Sequence, residues 1–482
     1  MPHFAPMNRA RLLPLIVATA LFIENMDASA IATSLPVIAK DLGTEPIELK
    51  LALTTYLLAL AVFIPISGWV ADRFGARGTF MAATGVFLAG SLACAASGSL
   101  ATLIAARFVQ GMGGALMVPV GRLVLLRTVP KHDLVRALSW LTIPALVAPM
   151  IGPPLGGFIS TYFDWRWIFL INLPIGLLGM VLAWRFIPDI REPAGRLDAI
   201  GFALSALGLA LAMSGISVLG RELMPMSAAL AMLALGLALL AAYVHHARTH
   251  PRPLIDLSLF RLPTFRAGVL GGAMFRFGIG ATPFLLPLML QLGFGMTPLE
   301  SGLLTFASAA GAMFMKVIAA NVLKRFGFRR VLIVNAVICA VLLAGYGLFR
   351  ADTPGVIIIL TLLIAGCFRS LQFTSLNAIS YDEVEPARMG QASSLSGMMQ
   401  QLSLSMGVAI GGYALQLAAT VTGRVDSAPE NFSIAFGVVA ALSALSAFSM
   451  WKLPRDAGAV MAGRAEAGGE LTEPKAEQRP AT

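Results

Sequence analysis

The chain has 482 residues, of which 57% are hydrophobic and only 12% charged, and its mean hydropathy is +0.80. Soluble globular domains carry about 25% charged residues, so a water-soluble enzyme, a nucleic-acid binder and a disordered protein are all excluded. The net charge of +10 sits in short gaps between apolar stretches rather than on a basic, aromatic-interleaved surface. This is the pattern of an all-α polytopic membrane protein.

At about 20 residues per helical crossing, the apolar stretches predict fourteen spans: 13–36, 50–70, 80–97, 100–123, 137–159, 167–187, 199–219, 226–246, 267–291, 299–322, 331–349, 354–377, 391–418 and 432–451. The first follows Arg9 and Arg11 as a signal peptide would, but it carries Glu24 and Asp27 and many spans come after it, so it reads as a retained helix. Cys94, Cys339 and Cys367 lie inside apolar stretches and imply no disulfide framework. None of the five histidines falls in mid-span. Trp165 and Trp167 read as anchors at the outer interface.

Orientation follows from the Lys/Arg bias. With both termini in the cytoplasm, the cytoplasmic segments hold 25 of the 35 Lys and Arg residues. The outer loops then hold six (Lys40, Lys50, Arg166, Arg221, Arg350 and Arg424), and Arg107, Arg276, Lys316 and Arg369 fall within spans. The chain also repeats itself. Asp72-Arg-Phe-Gly-Ala-Arg77 after span 2 has a partner in Lys324-Arg-Phe-Gly-Phe-Arg329 after span 10, and Gly152-Pro-Pro-Leu-Gly-Gly157 is echoed by Gly407-Val-Ala-Ile-Gly-Gly412. The spacings are 252 and 255 residues, longer than six spans require, and spans 7 and 8 occupy the difference. The expected organisation is a six-helix bundle (1–188), an inserted helix pair (189–250), a second six-helix bundle (251–453) and a disordered cytoplasmic tail (454–482), the last rich in Ala, Gly and Glu. Paired bundles suit alternating access around a midplane site.

Gly68-Trp-Val-Ala-Asp72-Arg73-Phe-Gly75-Ala-Arg77 resembles the signature loop of the major facilitator superfamily, and Arg107-Phe-Val-Gln110-Gly111-Met-Gly113-Gly114 resembles its span-4 motif. Gly152-Pro153-Pro-Leu-Gly156-Gly157 is similar to the span-5 motif associated with antiporters, with Ala148 where a glycine usually leads. Phe22-Ile-Glu-Asn-Met-Asp27 and Trp165-Arg-Trp-Ile-Phe-Leu-Ile-Asn-Leu-Pro174 resemble the fourteen-span EmrB/QacA-type drug:proton antiporters. Met117-Val-Pro-Val-Gly-Arg122 and the stretch 324–330 look nearest to the MdtD/HsrA-type branch. The resemblance covers nearly all of 10–452 and implies the major facilitator fold, proton coupling and no cofactor.

A charge at mid-bilayer costs about 2.5–3.5 kcal/mol on insertion scales, so Glu24, Asp27, Arg107, Arg276, Lys316 and Arg369 should face a cavity or a partner. Glu24 and Asp27 share one helix face. Asp27 either exchanges the coupling proton or pairs permanently with Arg107, and Glu24 either joins in coupling or recognises a cation. By resemblance, Arg107 belongs to proton coupling. With both acids ionised the intraspan sum is +2, a balance that favours an anion over a lipophilic cation, so Arg276, Lys316 and Arg369 are candidate substrate clamps. Lys316 and Arg369 could instead snorkel to the surface. The loop of Gly68, Asp72, Arg73, Gly75 and Arg77 reads as a gate in which Asp72 pairs with Arg73 or Arg77. Gly152 and Pro153 should kink span 5, and Gly156 and Gly157 allow close helix packing.

No Walker-type or zincin motif is present, and no enzyme activity and no resident metal are expected. The reading is a proton-coupled exporter of lipophilic or toxic small molecules in a bacterial-type inner membrane, its partners being the substrate, protons and the lipid bilayer. A periplasmic adaptor is left open. The alternatives are an exporter of small organic anions or their metal chelates and, third, a non-transporting membrane sensor.

Overall fold

A chain this apolar must satisfy its backbone N–H and C=O groups within the membrane, and helices do so locally. The computed structural model describes residues 9–129, 131–193, 195–218, 225–251, 253–385, 388–425 and 427–463, and among them there are helices and no strands. We number the spanning helices α1 (Leu12–Asp41), α2 (Pro46–Phe74), α3 (Ala76–Ala95), α4 (Leu100–Thr128), α5 (Lys131–Tyr162), α6 (Trp167–Phe186), α7 (Ala199–Val218), α8 (Met226–Thr249), α9 (Pro263–Gly293), α10 (Pro298–Phe326), α11 (Phe328–Tyr346), α12 (Gly355–Ile379), α13 (Met389–Thr422) and α14 (Pro429–Trp451). All but α5 are long and apolar enough to cross a bilayer over described residues alone, thirteen in number. Helix α5 carries the remaining predicted span and continues through Pro144, Pro149, Pro153 and Pro154 as one 32-residue helix. Arg221 and tail residues 464–482 lie outside the described residues.

The helices form the two six-helix bundles and inserted pair expected from the sequence. In the first bundle α1 packs on α5 and α6, and α4 packs on α2 and α3; in the second, α9 packs on α13 and α14, and α12 on α10 and α11. Two main crossings join the bundles, α5 with α10 and α2 with α13, and the distal part of α1 also touches α9 and α10. Helices α7 and α8 pack on each other, and α7 lies against both α2 and α13, where the Phe202 and Phe63 rings are 5.9 Å apart. Helix α8 has only 17% of its apolar window buried inside the protein, as a lipid-facing helix would.

The internal repeat is visible in the backbone. Gly75, between α2 and α3, has φ +90°, and Gly327, between α10 and α11, has φ +77°, a region that glycine occupies without a Cβ penalty. Both turns lie at the face where the described chain begins and ends, here called proximal. At the opposite, distal face, hydrogen bonds join the bundles near their ends. Gln291 Nε2 donates to Thr33 O at 2.8 Å, and Leu299 N–H donates to Thr161 Oγ1 at 3.2 Å.

Three local expectations change. Lys50, assigned to an outer loop, is fully buried near the distal end of α2, because α13 crosses there at Gly412. Trp165 is 2% exposed, unlike the 55% exposed Trp167. Its indole N–H donates to Asp41 Oδ2 at 3.0 Å, so of the two only Trp167 has the exposure expected of an interface anchor. Residues 454–463, assigned to the disordered tail, form turns in which Gly458 N–H donates to Asp382 Oδ2 at 2.8 Å and Ala462 is buried.

The inserted pair is clasped at its proximal end by Asp198. Its carboxylate accepts from Gly201 N–H at 2.8 Å, closing the first turn of α7, from Leu254 N–H at 3.2 Å, and contacts His246 Nε2 of α8 at 2.8 Å. Burial opposes ionisation of Asp198, but these partners outweigh it and hold its carboxyl below the usual carboxylate range. The clasp is therefore complete at neutral pH and is lost only as pH falls through that depressed value. Asp198→Ala removes a helix cap worth about 1 kcal/mol and leaves Leu254 N–H unpaired, so thermal unfolding of detergent-solubilised protein should begin at lower temperature. His246→Ala, which spares the cap, should cost less.

Candidate functional site

The site is built on α1, where a helical turn aims Asp27 at α4 and α6. Asp27 is wholly buried, as are Arg107, Gln110, Asn172 and Ser91. Arg107 Nη1 donates to Asp27 Oδ2 and to Gln110 Oε1 at 2.6 Å. Asp27 Oδ1 accepts from Gln110 Nε2 and Asn172 Nδ2, both at 3.0 Å. Those amides also donate to Ser91 Oγ, at 3.0 and 2.9 Å. The guanidinium lies 4.2 Å from the Tyr56 ring centroid, a cation–π contact that strengthens away from water.

Asp27 thus meets three donors and no acceptor in this network, the surroundings of an ionised carboxylate. Its amide neighbours each touch a second acceptor, so their hydrogen bonds can be redistributed when the carboxylate is neutralised. Asn172 Oδ1, Tyr56 Oη and Arg107 Nε are buried without hydrogen-bond partners among the described residues, leaving capacity for such a change. Glu24, one turn from Asp27, has a buried Oε2 without a hydrogen-bond partner among the described residues.

The span-5 motif makes the helix crossings. A Cβ on Gly152 would come within 1.9 Å of Ser29 Oγ, and one on Gly156 within 2.2 Å of Ala30 O, both on α1. Gly157 faces the other bundle, where a Cβ would lie 2.4 Å from Pro298 O of α10. Pro153 O accepts from Thr33 Oγ1 at 3.3 Å, which takes up a carbonyl in this proline-rich turn. The repeat does the same in the second half. Gly407 packs against Phe277 of α9, and Gly412 against Lys50 of α2, with a notional Cβ 2.5 Å from Lys50 Cδ.

In the signature loop, Asp72 pairs with Arg127 Nη1 at 2.9 Å rather than with Arg73 or Arg77 as anticipated. Arg127 closes α4 and also reaches Glu192 at 3.1 Å. The segment entering the inserted pair drapes over this loop. Ile190 O accepts from Ala76 N–H at 3.0 Å, Gly195 O accepts from Trp69 Nε1 at 2.8 Å, and Asp189 sits against Gly75. Gly68 and Arg73 are exposed, and Arg77 is half-buried.

The three basic candidates in the second bundle have separate surroundings. Arg276 is fully buried; its Nη2 donates to Asn377 Oδ1 at 3.1 Å and its Nη1 to Gly268 O at 3.4 Å. It is therefore held within its own bundle. Arg369 lines a cavity of about 30 Å³ inside that bundle with Phe275, Cys339 and Tyr346, room for a water molecule. Lys316 is exposed on α10.

Sequence reasoning did not assign roles to Gln110, Asn172, Ser91, Tyr56 or Arg127. Gln110 and Asn172 lie inside the motifs already singled out, so their polarity within apolar helices was an available signal. Ser91 and Tyr56 are common residues in spanning helices, and nothing local distinguishes them. The Gly157 crossing is testable through distal closure. In a cysteine-free background, Gly157→Leu should reduce short-reagent cross-linking of Thr161→Cys to Leu299→Cys by about tenfold.

The description Major Facilitator Superfamily matches residues 17–408 and, again, 268–476. MdtD of Salmonella newport (strain SL254), named as a multidrug resistance protein, is 36% identical over 444 residues, covering 92% of this chain and 94% of that protein. MdtD of Escherichia coli O9:H4 (strain HS) matches with the same identity and coverage. Among solved structures, a D-xylose-proton symporter aligns with TM-score 0.67 at 15% identity over 93% of this chain and 98% of the other. The human organic anion transporter MFSD10 aligns with TM-score 0.58 at 14% identity over 93% and 100%. Low identity limits these structures to evidence of fold, but the family match and the MdtD relatives extend over most of the chain. The chain belongs to the major facilitator superfamily, in its MdtD-type branch of secondary transporters.

Proposed function

We propose that this transporter exports lipophilic or toxic small molecules in exchange for protons, from a bacterial-type inner membrane with its proximal face in the cytoplasm. The observation that carries the proposal is the buried Asp27–Arg107 pair, set in amides that can change partners. The names of the MdtD relatives support the substrate class. The Lys/Arg bias supports the orientation.

In this reading Asp27 carries the coupling proton in one state and, ionised, pairs with Arg107 in the other. Protonation removes the charge that fixes Arg107, and the guanidinium turns to Gln110 Oε1 and the Tyr56 ring. Because Asp27 lies on α1 while Arg107 and Asn172 lie on α4 and α6, this exchange alters how α1 is held in its bundle. Helix α1 also packs on α5, whose Gly157 touches α10, so the change reaches the distal crossing. Substrate enters from the proximal side, the bundles rock about the α5–α10 and α2–α13 crossings, and substrate leaves distally before the proton returns. Glu24 faces the same side of α1 and recognises a cationic substrate or carries a second proton.

The organic-anion alternative requires Arg276, Lys316 and Arg369 to converge on one ligand, and their separate surroundings give it less support. The test is flux in liposomes under an imposed proton gradient. Asp27→Asn, which preserves shape and removes the charge, should lower gradient-driven transport of a lipophilic cationic dye by about tenfold or more while retaining dye binding. Undiminished flux would overturn the coupling role. Citrate flux dependent on Arg276 would instead establish the anion reading.

A further inference from the structure

The two repeat-related loops at the proximal face differ in charge. The first contains Asp72, paired with Arg127, and is overlain by Asp189 and Glu192. The second has Lys324 at the corresponding position and adjoins a cavity of about 280 Å³. Three arginines line that cavity, Arg329 and Arg330 from the first turn of α11 and Arg455 from beyond α14, and no carboxylate is among its lining residues. Arg329 Nη2 is anchored on Trp451 O at 3.0 Å. Its buried Nε has no hydrogen-bond partner among the described residues.

The remainder of the lining shows what kind of anion suits the cavity. Helix α11 begins there behind Gly327, without a side-chain cap, so its first N–H groups favour an anion. Phe326, Ile333 and Val334 complete the wall. From Val334 an exposed apolar stripe continues one and two turns along α11 as Val337 and Val341, 49% and 66% exposed. A free phosphate would use only the arginines. A molecule with a phosphate at one end and an acyl chain at the other would use the stripe as well.

We propose that this pocket binds the phosphate of an acidic phospholipid from the proximal leaflet, with an acyl chain along Val334, Val337 and Val341. The lipid supplies the negative charge that the first loop obtains from Asp72. Basic pockets between spanning helices at the membrane surface are suited to such headgroups, and Arg forms paired hydrogen bonds with phosphate.

Native mass spectrometry of the full chain in detergent, with dioleoylphosphatidylglycerol added, tests the proposal. Wild-type protein should retain the lipid, and dioleoylphosphatidylcholine should be retained about tenfold less. Arg329→Gln/Arg330→Gln/Arg455→Gln should lower phosphatidylglycerol retention by about tenfold. Arg330→Gln/Arg455→Gln, which leaves the Arg329–Trp451 anchor intact, should also lower it and guards against misfolding of the triple variant. Inorganic phosphate at equal concentration should not displace the lipid. Equal retention by wild type and both variants, or equal retention of the two lipids, overturns the proposal. Displacement by equimolar inorganic phosphate overturns the lipid assignment in favour of a soluble anion.

Discussion

An ionised carboxylate inside a membrane protein needs compensating charge and hydrogen bonds, and that requirement organises the first bundle. Asp27 brings α1, α4 and α6 to one point through Arg107, Gln110 and Asn172. Breaking a buried ion pair by deleting one partner generally costs about 3–5 kcal/mol. In the proposed mechanism the same dependence lets the pair act as a switch, because a single proton alters the compensation without removing an atom. The network has both features needed for this: complete satisfaction of Asp27 as an anion, and neighbouring amides with alternative acceptors.

In the proposed mechanism, transmission from that network to the rest of the molecule depends on close helix approach. Gly152 and Gly156 let α5 lie against α1, and Gly157 lets it meet α10 across the bundle boundary. The second half repeats the scheme with Gly407 against α9 and Gly412 against α2. These two related crossings carry much of the distal contact, to which the Gln291–Thr33 bond adds. The inserted helices complete the assembly differently, with α7 seated across α2 and α13 and the approach to it laid over the Asp72 loop. A movement of that loop would therefore also be felt by the inserted pair.

Much of this architecture was legible in the sequence. The spans followed from hydrophobic length, and the 6 + 2 + 6 arrangement followed from two motif spacings that nearly agree. Asp27 and Arg107 stood out because charges are rare in apolar helices. Their uncharged partners did not stand out, since Ser91 and Tyr56 acquire meaning only when three helices converge. The partner of Asp72 was misassigned because Arg127 is 55 residues away, and proximity in the chain favoured Arg73 or Arg77. Lys50 was placed outside because a basic residue at a helix end is normally solvated; the α13 crossing that buries it is a long-range contact. Counting Arg276, Lys316 and Arg369 as one basic group rested on charge along the chain alone. Net charge along a chain does not show whether side chains face one cavity, and here they occupy a helix interface, a small internal cavity and an exposed surface.

The central claim is that substrate and proton compete through the state of Asp27. It is tested most directly by measuring proton release on addition of a lipophilic cationic dye to the purified transporter in weakly buffered detergent solution. The account predicts release from the wild-type protein and its loss in Asp27→Asn, with dye binding retained. Equal proton release from both proteins would contradict it and move the coupling site elsewhere.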